Sequence, residues 1–524
     1  MLNLLYFFHI LALGQVFADA SNASNTGIIP CESIPPPSIP GAEVVEFVAK
    51  TRHNVTGLVV REEIPKIDVI TGLDFCNVNI SLSHRGGDDR IGFEFWLPLS
   101  GWNGRLQGVG GGGWVAGHHG THGLGIAVEQ GFAAGVTNGG NISNADGFVH
   151  DDILSDGVVD FGRLSDFAHR GIHEISVLGK AITESYYGKP PHHAYWVGCS
   201  TGGRQGHMLA QRFPDAFDGI LANAPAVSWP TLMLAIGWGE FVMRWKDRRP
   251  SACVFEGFRK AAVEACDELD GVADGVITDV DVCDFDPFSQ VGEEIRCDNA
   301  THVIATEDAE VLRLIHDGPR SPEGTQLWKA FPWGIGYTGV ILVEPSAAKL
   351  WNDWYRLFIK KDRDWDISTM TTLEELTDMY ATAHSEYGGV IGTDIPDLTS
   401  FRDRGGKLLS WHGTADDMIP LENSVHYRRS TESVMGGNAA VNEFYRFFVA
   451  PGVAHCLLGP GAYPKDSLES LIAWVERGKA PRELHGTMKL PNGNTAERKL
   501  CPWPKLARFN GKSDSTDVHS FSCS

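Results

Sequence analysis

Apolar runs bounded by glycine-rich turns alternate with helical patterns along the first half of the chain. Strand-like runs begin with GFEFWLPL at Gly92, RLQGV before the glycine run 110–113, GFAAGVTNG at Gly131 and ILANAPA after Gly219. Residues 163–187 place apolar side chains at intervals of three and four, which is typical of an amphipathic helix. The segment HHAYWVGCSTGGRQGHMLAQRF reads as a strand followed by a helix. The alternation predicts an α/β fold with a mostly parallel sheet.

This pattern is interrupted from about Trp229 to Thr399, where Trp, Asp and irregular segments dominate. It resumes at GGKLLSWHG and continues through EFYRFFVAPGVAHC and LESLIAWVERG. A chain of 524 residues is too long for one small core, so more than one folding unit is expected. The long interruption therefore indicates an inserted domain. We expect a signal peptide at 1–20, the first part of the core at 21–228, the insertion at 229–400 and the second part of the core at 401–524.

The N-terminal segment MLNLLYFFHILALGQVFADA is an apolar run followed by small residues, although it lacks a basic start. It resembles a secretory signal peptide cleaved near Ala18 or Ala20, with a buried helix as the alternative. No later stretch approaches the ~20 apolar residues of a transmembrane helix. Ten cysteines without a CxxC pair favour disulfides over a zinc ribbon. We therefore expect a secreted, extracellular protein, with N-glycosylation sequons at Asn22, Asn54, Asn79, Asn141 and Asn299.

The charge balance narrows the class of partner. The formal net charge is −22, while 43% of the residues are hydrophobic and 21% are charged. This is the composition of a folded globular protein, and the excess of acid argues against nucleic-acid or anionic-membrane partners, which need a basic face.

The segment Gly198-Cys199-Ser200-Thr201-Gly202 fits G-x-S-x-G, in which a sharp strand-to-helix turn presents a nucleophilic serine. The bare pattern also fits an ordinary glycine-rich turn. Here it follows the strand-like YWVG and precedes a helix, which is the context that the motif requires. We therefore predict Ser200 as the nucleophile.

A serine nucleophile needs a base and an acid that orients the base, and in α/β-hydrolases the chain order is Ser, acid, His. The segment WHGTADDMIP follows a strand, and we predict Asp416 as the acid, with Asp417 as the alternative. PGVAHC places His455 in a loop after a later strand, so we predict it as the base. His426 competes for this role from a predicted helix, and His412 is interpreted as structural.

The oxyanion of the reaction needs two N–H donors. One is predicted from Thr201, which follows the nucleophile, and the other from Gly112 or Gly113 in the glycine run. A flexible turn or a phosphate loop would also explain the run, but no GK[ST] follows it, which argues against a P-loop.

Cys199 directly precedes the serine, and Cys456 directly follows the histidine. This arrangement resembles the CS-D-HC pattern of the tannase and feruloyl esterase family. The motifs WNGRLQGVGGGGWVAG, GCSTGGRQG, FDGILANAPA, WHGTADDMIP and PGVAHC are similar to that family's over about 92–474, whereas VTNGGN at 136–141 departs from its more acidic pattern. The resemblance implies a Cys199–Cys456 disulfide, an α/β-hydrolase core and a large lid formed by the insertion.

The resemblance also bears on the other cysteines and on a metal. Position and family favour the pairs Cys31–Cys76, Cys266–Cys283 and Cys501–Cys523, which leaves Cys253 with Cys297. Carboxylates in CDELDGVADGVITD suit calcium, which prefers oxygen ligands, although a solvated acidic turn explains them equally well. The resemblance implies a structural Ca²⁺ in the lid, held by the side chains of Asp267, Asp270 and Asp274 and the carbonyls of Val272 and Val276.

By this resemblance we expect a serine carboxylic ester hydrolase that cleaves feruloyl, hydroxycinnamoyl or galloyl-type esters, with a small and aromatic substrate, no organic cofactor, and a monomeric or homodimeric state. One alternative is an esterase of a fungal secondary-metabolite pathway. Another is an inactive binding protein on the same fold, against which the complete set of Ser, Asp, His and glycine run argues.

Overall fold

The computed structural model describes residues 28–61, 66–87, 89–144, 146–297, 300–337, 345–456, 459–511 and 514–524. The predicted signal peptide at 1–20 and the sequons at Asn22 and Asn299 lie outside these residues. No helix in the described ranges has both the length and the apolar character needed to cross a bilayer.

A nine-stranded sheet forms the centre of the described chain, in the order β1-β2-β3-β5-β4-β6-β7-β8-β9. The strands from β5 to β9 in this order run parallel, and β1, β2 and β3 add an antiparallel edge. The prediction of a mostly parallel α/β sheet is therefore confirmed. The strands are β1 (Ala42–Arg61), β2 (Lys66–His84), β3 (Ile91–Pro98), β4 (Arg105–Val109), β5 (Ala133–Thr137), β6 (His193–Cys199), β7 (Gly219–Asn223), β8 (Lys407–Gly413) and β9 (Tyr445–Ala450).

Helices cover both faces of the sheet because its strands are apolar on both sides. The helices of eight or more residues are α1 (Thr121–Glu129), α2 (Gly171–Tyr187), α3 (Thr201–Arg212), α4 (Trp229–Ile236), α5 (Trp238–Trp245), α6 (Ala252–Cys266), α7 (Thr306–Asp317), α8 (Pro345–Asp353), α9 (Leu373–Ile391), α10 (Leu421–Met435) and α11 (Ser467–Arg477). A hairpin of β11 (Leu484–Lys489) and β12 (Thr495–Leu500), with the short β10 (Tyr463–Pro464), forms a separate small sheet.

The helix predicted at 163–187 is interrupted. A short helix at Phe161–Ser165 passes into a π-helical turn at Asp166–Arg170 before α2 begins. The carboxyl of Asp166 is fully buried at this turn and pairs with Arg170, so a local ion pair accompanies the change in helical pitch. Hydrophobic periodicity does not reveal such a turn, because the apolar face continues across it.

The long segment between β7 and β8 adds no strand to the nine-stranded sheet. The two strands pair directly, with Lys407 opposite Gly219, so the sheet continues as if the segment were absent. Trp114 of the core joins this segment to the sheet: its ring is fully buried beside Trp229 of α4 and Phe358, and its Nε1 donates to the Leu350 carbonyl of α8.

The tryptophans of this segment are engaged within the protein. Trp351 and Trp354 are buried, Trp333 stacks on His316, and Trp365 stacks on Tyr355. They stabilise the segment itself.

Candidate functional site

The residues predicted for catalysis follow four of five consecutive parallel strands in the sheet. The glycine run follows β4, Ser200 follows β6, Asp416 follows β8 and His455 follows β9. Because the carboxyl ends of parallel strands meet at one edge of a sheet, the fold brings these distant segments together, as in other open α/β sheets.

Ser200 occupies a sharp turn between β6 and α3. Its φ of 61° and ψ of −120° lie in a region that residues other than glycine rarely adopt. The turn is possible because glycines flank it: a Cβ on Gly198 would lie 2.6 Å from the Gly202 carbonyl carbon, and one on Gly203 would lie 2.3 Å from the Asn223 oxygen. The strained serine and the small neighbours are the features that the G-x-S-x-G pattern predicts.

His455 and Asp416 form a direct pair. Nδ1 of His455 lies 2.8 Å from Oδ2 of Asp416, whose side chain is fully buried. An ionised carboxylate only accepts hydrogen bonds, so the His455 proton sits on Nδ1 and Nε2 is left as the basic nitrogen. Burial opposes protonation of the ring, but the charge and hydrogen bond of Asp416 outweigh burial and raise the pKa of His455 above its ordinary value.

Four donors surround the Asp416 carboxylate. Oδ1 accepts the N–H groups of Met418 and Ile419, each at 2.9 Å, and Oδ2 accepts from His455 and from Nε2 of the buried His412 at 3.0 Å. Burial disfavours the ionised form, but the two histidines outweigh it and hold the pKa of Asp416 well below its usual range. Asp416 is therefore ionised at neutral pH.

The hydrogen bonds of His412 indicate which ring nitrogen is the donor. Its Nε2 faces two acceptors, Asp416 and the Ile419 carbonyl at 2.9 Å, so that nitrogen carries the proton. Nδ1 then accepts from the Ser424 hydroxyl at 2.7 Å. The residue interpreted as structural from the sequence thus contacts the acid of the site directly, a role that only the folded turn after β8 reveals.

The two alternatives considered from the sequence differ in position, and of the two only Asp417 acts on His455, whose pKa its charge helps to raise. The Asp417 side chain faces a neighbouring groove, near Gly336. His426 is exposed on α10, away from Ser200.

The glycine run is held against the nucleophile turn by hydrogen bonds. The Thr201 hydroxyl donates to the Gly113 carbonyl at 2.7 Å, and the Gly202 N–H donates to the Gly111 carbonyl at 3.0 Å. Gly112 forms an isolated antiparallel bridge with Val115. The N–H of Thr201 is in the first turn of α3 and has no intrahelical acceptor. The glycine run therefore packs against the turn that carries Ser200, and the N–H of Thr201 is left to face a ligand there.

The Cys199–Cys456 disulfide joins the residue before Ser200 to the residue after His455. Its Cα atoms are 6.0 Å apart, across a sequence separation of 257 residues. All five predicted pairs are present, which confirms the disulfide pattern: Cys31–Cys76, Cys199–Cys456, Cys253–Cys297, Cys266–Cys283 and Cys501–Cys523.

Two cavities meet at this edge of the sheet. A cavity of about 500 Å³ is lined by Ser200, His455 and the glycine run. An open groove of about 970 Å³ lies beside it and shares His455 and Met418 with it. A volume of several hundred Å³ is that of a small-molecule site. The divergent segment 136–141 lines neither cavity; its Asn138 accepts from the N–H groups of Gly92 and Gly140.

The predicted calcium ligands lie in the loop after α6. Asp270, Asp274 and Val276 line one cavity of about 10 Å³, which is about the space of one small ligand. Oδ1 of Asp274 is buried without a hydrogen-bond partner among the described residues, while Oδ2 pairs with Arg498 at 2.7 Å. Burial raises the pKa of Asp274 to about 6, even against the opposing effect of Arg498. The oxygen-rich donor set and the unpartnered carboxylate oxygen fit a hard cation.

Asp267 has a different position in this loop. Its carboxylate accepts the N–H groups of Asp274 and Gly275 at 3.1 and 2.8 Å, and so it shapes the turn.

Comparisons with known proteins agree with this geometry. Residues 76–524 match the family model described as tannase and feruloyl esterase. A probable feruloyl esterase of Arthroderma benhamiae is 39% identical over 100% of this chain and 98% of its own length. Feruloyl esterase B of Aspergillus niger is 34% identical over 87% of this chain and 88% of its own.

Solved structures of similar fold include a tannin acyl hydrolase from Aspergillus niger, with a TM-score of 0.83, 28% identity and 94% of each chain covered. Feruloyl esterase B from Aspergillus oryzae has a TM-score of 0.78 at 27% identity, covering 94% of this chain and 99% of its own. The chain therefore belongs to the tannase and feruloyl esterase family, whose members are carboxylic ester hydrolases.

Proposed function

We propose that this protein hydrolyses esters of phenolic acids through an acyl-enzyme on Ser200, with His455 as base and Asp416 as the acid that orients it. The observation that carries the proposal is the 2.8 Å contact between His455 Nδ1 and Asp416 Oδ2 beside the cavity that Ser200 lines. Feruloyl, other hydroxycinnamoyl and galloyl esters are the proposed substrates, in agreement with the names of the relatives.

The reaction follows from the positions of the protons. Nε2 of His455 takes the proton of the Ser200 hydroxyl as its oxygen attacks the ester carbonyl. The N–H of Thr201 and that of Gly112 or Gly113 stabilise the oxyanion, where one donor contributes roughly 3–4 kcal/mol. His455 then protonates the leaving alcohol, and water repeats the sequence to release the acid and restore Ser200.

We also propose that the protein is secreted and glycosylated. The sequons at Asn54, Asn79 and Asn141 lie on exposed side chains, where a transferase can reach them. Five disulfides among the described residues agree with an oxidising compartment. The monomeric or homodimeric state stays a prediction.

The loop after α6 is proposed to bind a structural Ca²⁺. The side chains of Asp267, Asp270 and Asp274 and the carbonyls of Val272 and Val276 would hold it. When bound, the ion would offset the repulsion of clustered carboxylates and fix the fold of the insertion, without part in the chemistry. The unpartnered Oδ1 of Asp274 supports this assignment.

Ser200→Ala is expected to abolish covalent labelling by a fluorophosphonate and to lower hydrolysis of methyl ferulate, methyl caffeate and methyl gallate by roughly 10³-fold or more, because the nucleophile is lost. Mass spectrometry of the labelled wild type should place the adduct on Ser200. Ser433→Ala, at an exposed serine on α10, serves as the matched control. A labelled Ser200→Ala variant, or a wild type inactive on every ester, would contradict the proposal.

The pH dependence of kcat/KM should follow His455. The base must be neutral and Asp416 raises its pKa, so activity should fall with decreasing pH through a midpoint above about 6.5. In Asp416→Asn, burial of the ring without the charge should move this midpoint to lower pH, while the plateau rate falls roughly 10³–10⁴-fold. Asp417→Asn, which keeps the Asp416 hydrogen bonds, should retain the plateau. A midpoint unmoved in Asp416→Asn would refute the assigned pairing.

Removing the disulfide beside the nucleophile should lower kcat more than it changes KM. In the double variant Cys199→Ala/Cys456→Ala, Ser200 and His455 lose the link that sets their approach, and closure of so long a loop contributes about 5 kcal/mol to stability in the chain-entropy model. Cys501→Ala/Cys523→Ala, which opens a pair separated by 22 residues, is the control. Both are assayed below their unfolding temperatures, and an unchanged kcat in the first would refute the geometric role.

Calcium should raise the thermal unfolding midpoint of the chelator-treated protein, because an ion bound only by the folded state stabilises it by about 2.7 kcal/mol at a hundredfold excess over Kd. Asp270→Ala should abolish the response. Glu268→Ala, an exposed acid of the same loop, should keep it. Equal midpoints with calcium and with chelator would overturn the assignment.

A further inference from the structure

One histidine beside the proposed acid has no part in the reaction described above. His412 is the next-to-last residue of β8, and its side chain is fully buried. Side chains alternate across a strand, so His412 faces α10 while its neighbour Trp411 lines the cavity beside Ser200. His412 itself lines neither that cavity nor the open groove. It therefore acts on a substrate only through another residue.

His412 and the proposed base bind the same oxygen atom. Oδ2 of Asp416 lies 2.8 Å from Nδ1 of His455 and 3.0 Å from Nε2 of His412, while Oδ1 accepts two backbone N–H groups. A carboxylate offers about four lone-pair sites, and these four donors fill them. The hydrogen bond from His412 therefore competes with that from His455 for the charge of one atom.

The other side of the His412 ring is anchored on a helix. Nδ1 lies 2.7 Å from Oγ of Ser424, which is buried near the start of α10. Nε2 faces two acceptors, the Asp416 carboxylate and the Ile419 carbonyl, so Nε2 is the donor and Nδ1 accepts the Ser424 proton. The ring thus joins β8, the turn that carries Asp416 and α10 in one hydrogen-bonded chain.

The contact with the acid exceeds what a buried histidine needs. The Ser424 hydroxyl at 2.7 Å and the Ile419 carbonyl at 2.9 Å already satisfy both ring nitrogens. The additional hydrogen bond to Oδ2 fixes the plane of the Asp416 carboxylate. With backbone N–H groups on one oxygen and His412 on the other, the carboxylate cannot turn away from His455 without losing these donors.

The charge of Asp416 is divided between the two rings. Burial raises the pKa of Asp416, but His455 and His412 outweigh burial and lower it. On His455, burial lowers the pKa, whereas the charges of Asp416 and Asp417 raise it. A second donor on Oδ2 draws negative charge away from the bond to His455, so His412 moderates the strength of the base.

We infer that His412, held by Ser424, is a positioning residue: its Nε2–H fixes the plane of the Asp416 carboxylate and limits how strongly that carboxylate attracts the His455 ring. The inference rests on the proposed ester hydrolysis at Ser200 and deepens it. It adds to the reacting side chains a residue that contacts neither the substrate nor the reacting atoms.

Two amide substitutions separate the two ends of the ring. In His412→Asn the amide ends at the level of Nδ1, so it reaches Ser424 but not Asp416. In His412→Gln the amide nitrogen reaches the level of Nε2 and can donate to Asp416. His412→Asn should lower kcat for methyl ferulate roughly tenfold to a hundredfold with little change in KM, because the carboxylate is no longer oriented. His412→Gln should restore most of this loss.

The pH profile distinguishes positioning from a loss of structure. Without the donor on Oδ2, more of the carboxylate charge acts on His455. The acidic midpoint of kcat/KM should therefore move to higher pH in His412→Asn, opposite to the shift expected for Asp416→Asn. Fluorophosphonate titration counts the active sites, so unfolded molecules do not contribute. A purely structural role would lower this count and leave the kcat per site and the midpoint unchanged.

Ser424→Ala tests the chain from its far end and alters no group that touches Asp416. The ring loses the donor that holds Nδ1, so the midpoint should move in the same direction by a smaller amount. Ser433→Ala, at an exposed position of α10, should match the wild type.

Equal midpoints and equal kcat per site in the wild type, His412→Asn and Ser424→Ala would overturn the positioning role but leave the esterase intact. If His412→Asn yields no folded protein, an unchanged profile of Ser424→Ala overturns the role by itself. A wild type that cleaves no ester would instead overturn the proposed function.

Discussion

The buried Asp416 carboxylate is the constraint around which the site is organised. A charge removed from water is tolerated only when donors replace the lost hydration, and here two backbone N–H groups and two imidazoles do so. The same contacts set the orientation and tautomer of His455. The hydrogen bonds that stabilise the turn after β8 therefore also orient the imidazole of His455.

The Cys199–Cys456 bond extends this constraint to the nucleophile. Ser200, next to one cysteine of the disulfide, and Cys456, the other cysteine, both adopt positive φ, at 61° and 59°. These backbone conformations are unfavourable for residues other than glycine, so the surrounding structure must hold them. The covalent link keeps the strained turn after β6 close to the loop after β9. Hydrogen bonds from Thr201 and Gly202 hold the glycine run against the same turn. The side chains proposed to react are thus held in place by the fold itself, as preorganised catalysis requires.

Much of this was predictable because local chemistry encodes it. The strand at Gly219, the turn at Ser200, and the loop positions of Asp416 and His455 follow from apolar runs that end in glycine or polar residues. Neighbouring cysteines indicated which loops meet. The role of His412 and the π-helical turn at Asp166–Arg170 were not predictable, since each depends on how side chains pack in the folded chain.

The direct pairing of β7 with β8 has a consequence for how such enzymes diversify. The chain leaves the sheet after β7 and returns at the adjacent strand β8, about 4.8 Å away. The segment between them therefore begins and ends at neighbouring positions of the sheet. A change in the length or sequence of this segment would alter the residues that line the groove. It would leave the pairing of β7 with β8, and so the strand order, in place. The scaffold thereby separates the segment that lines the groove from the loops that carry Ser200, Asp416 and His455.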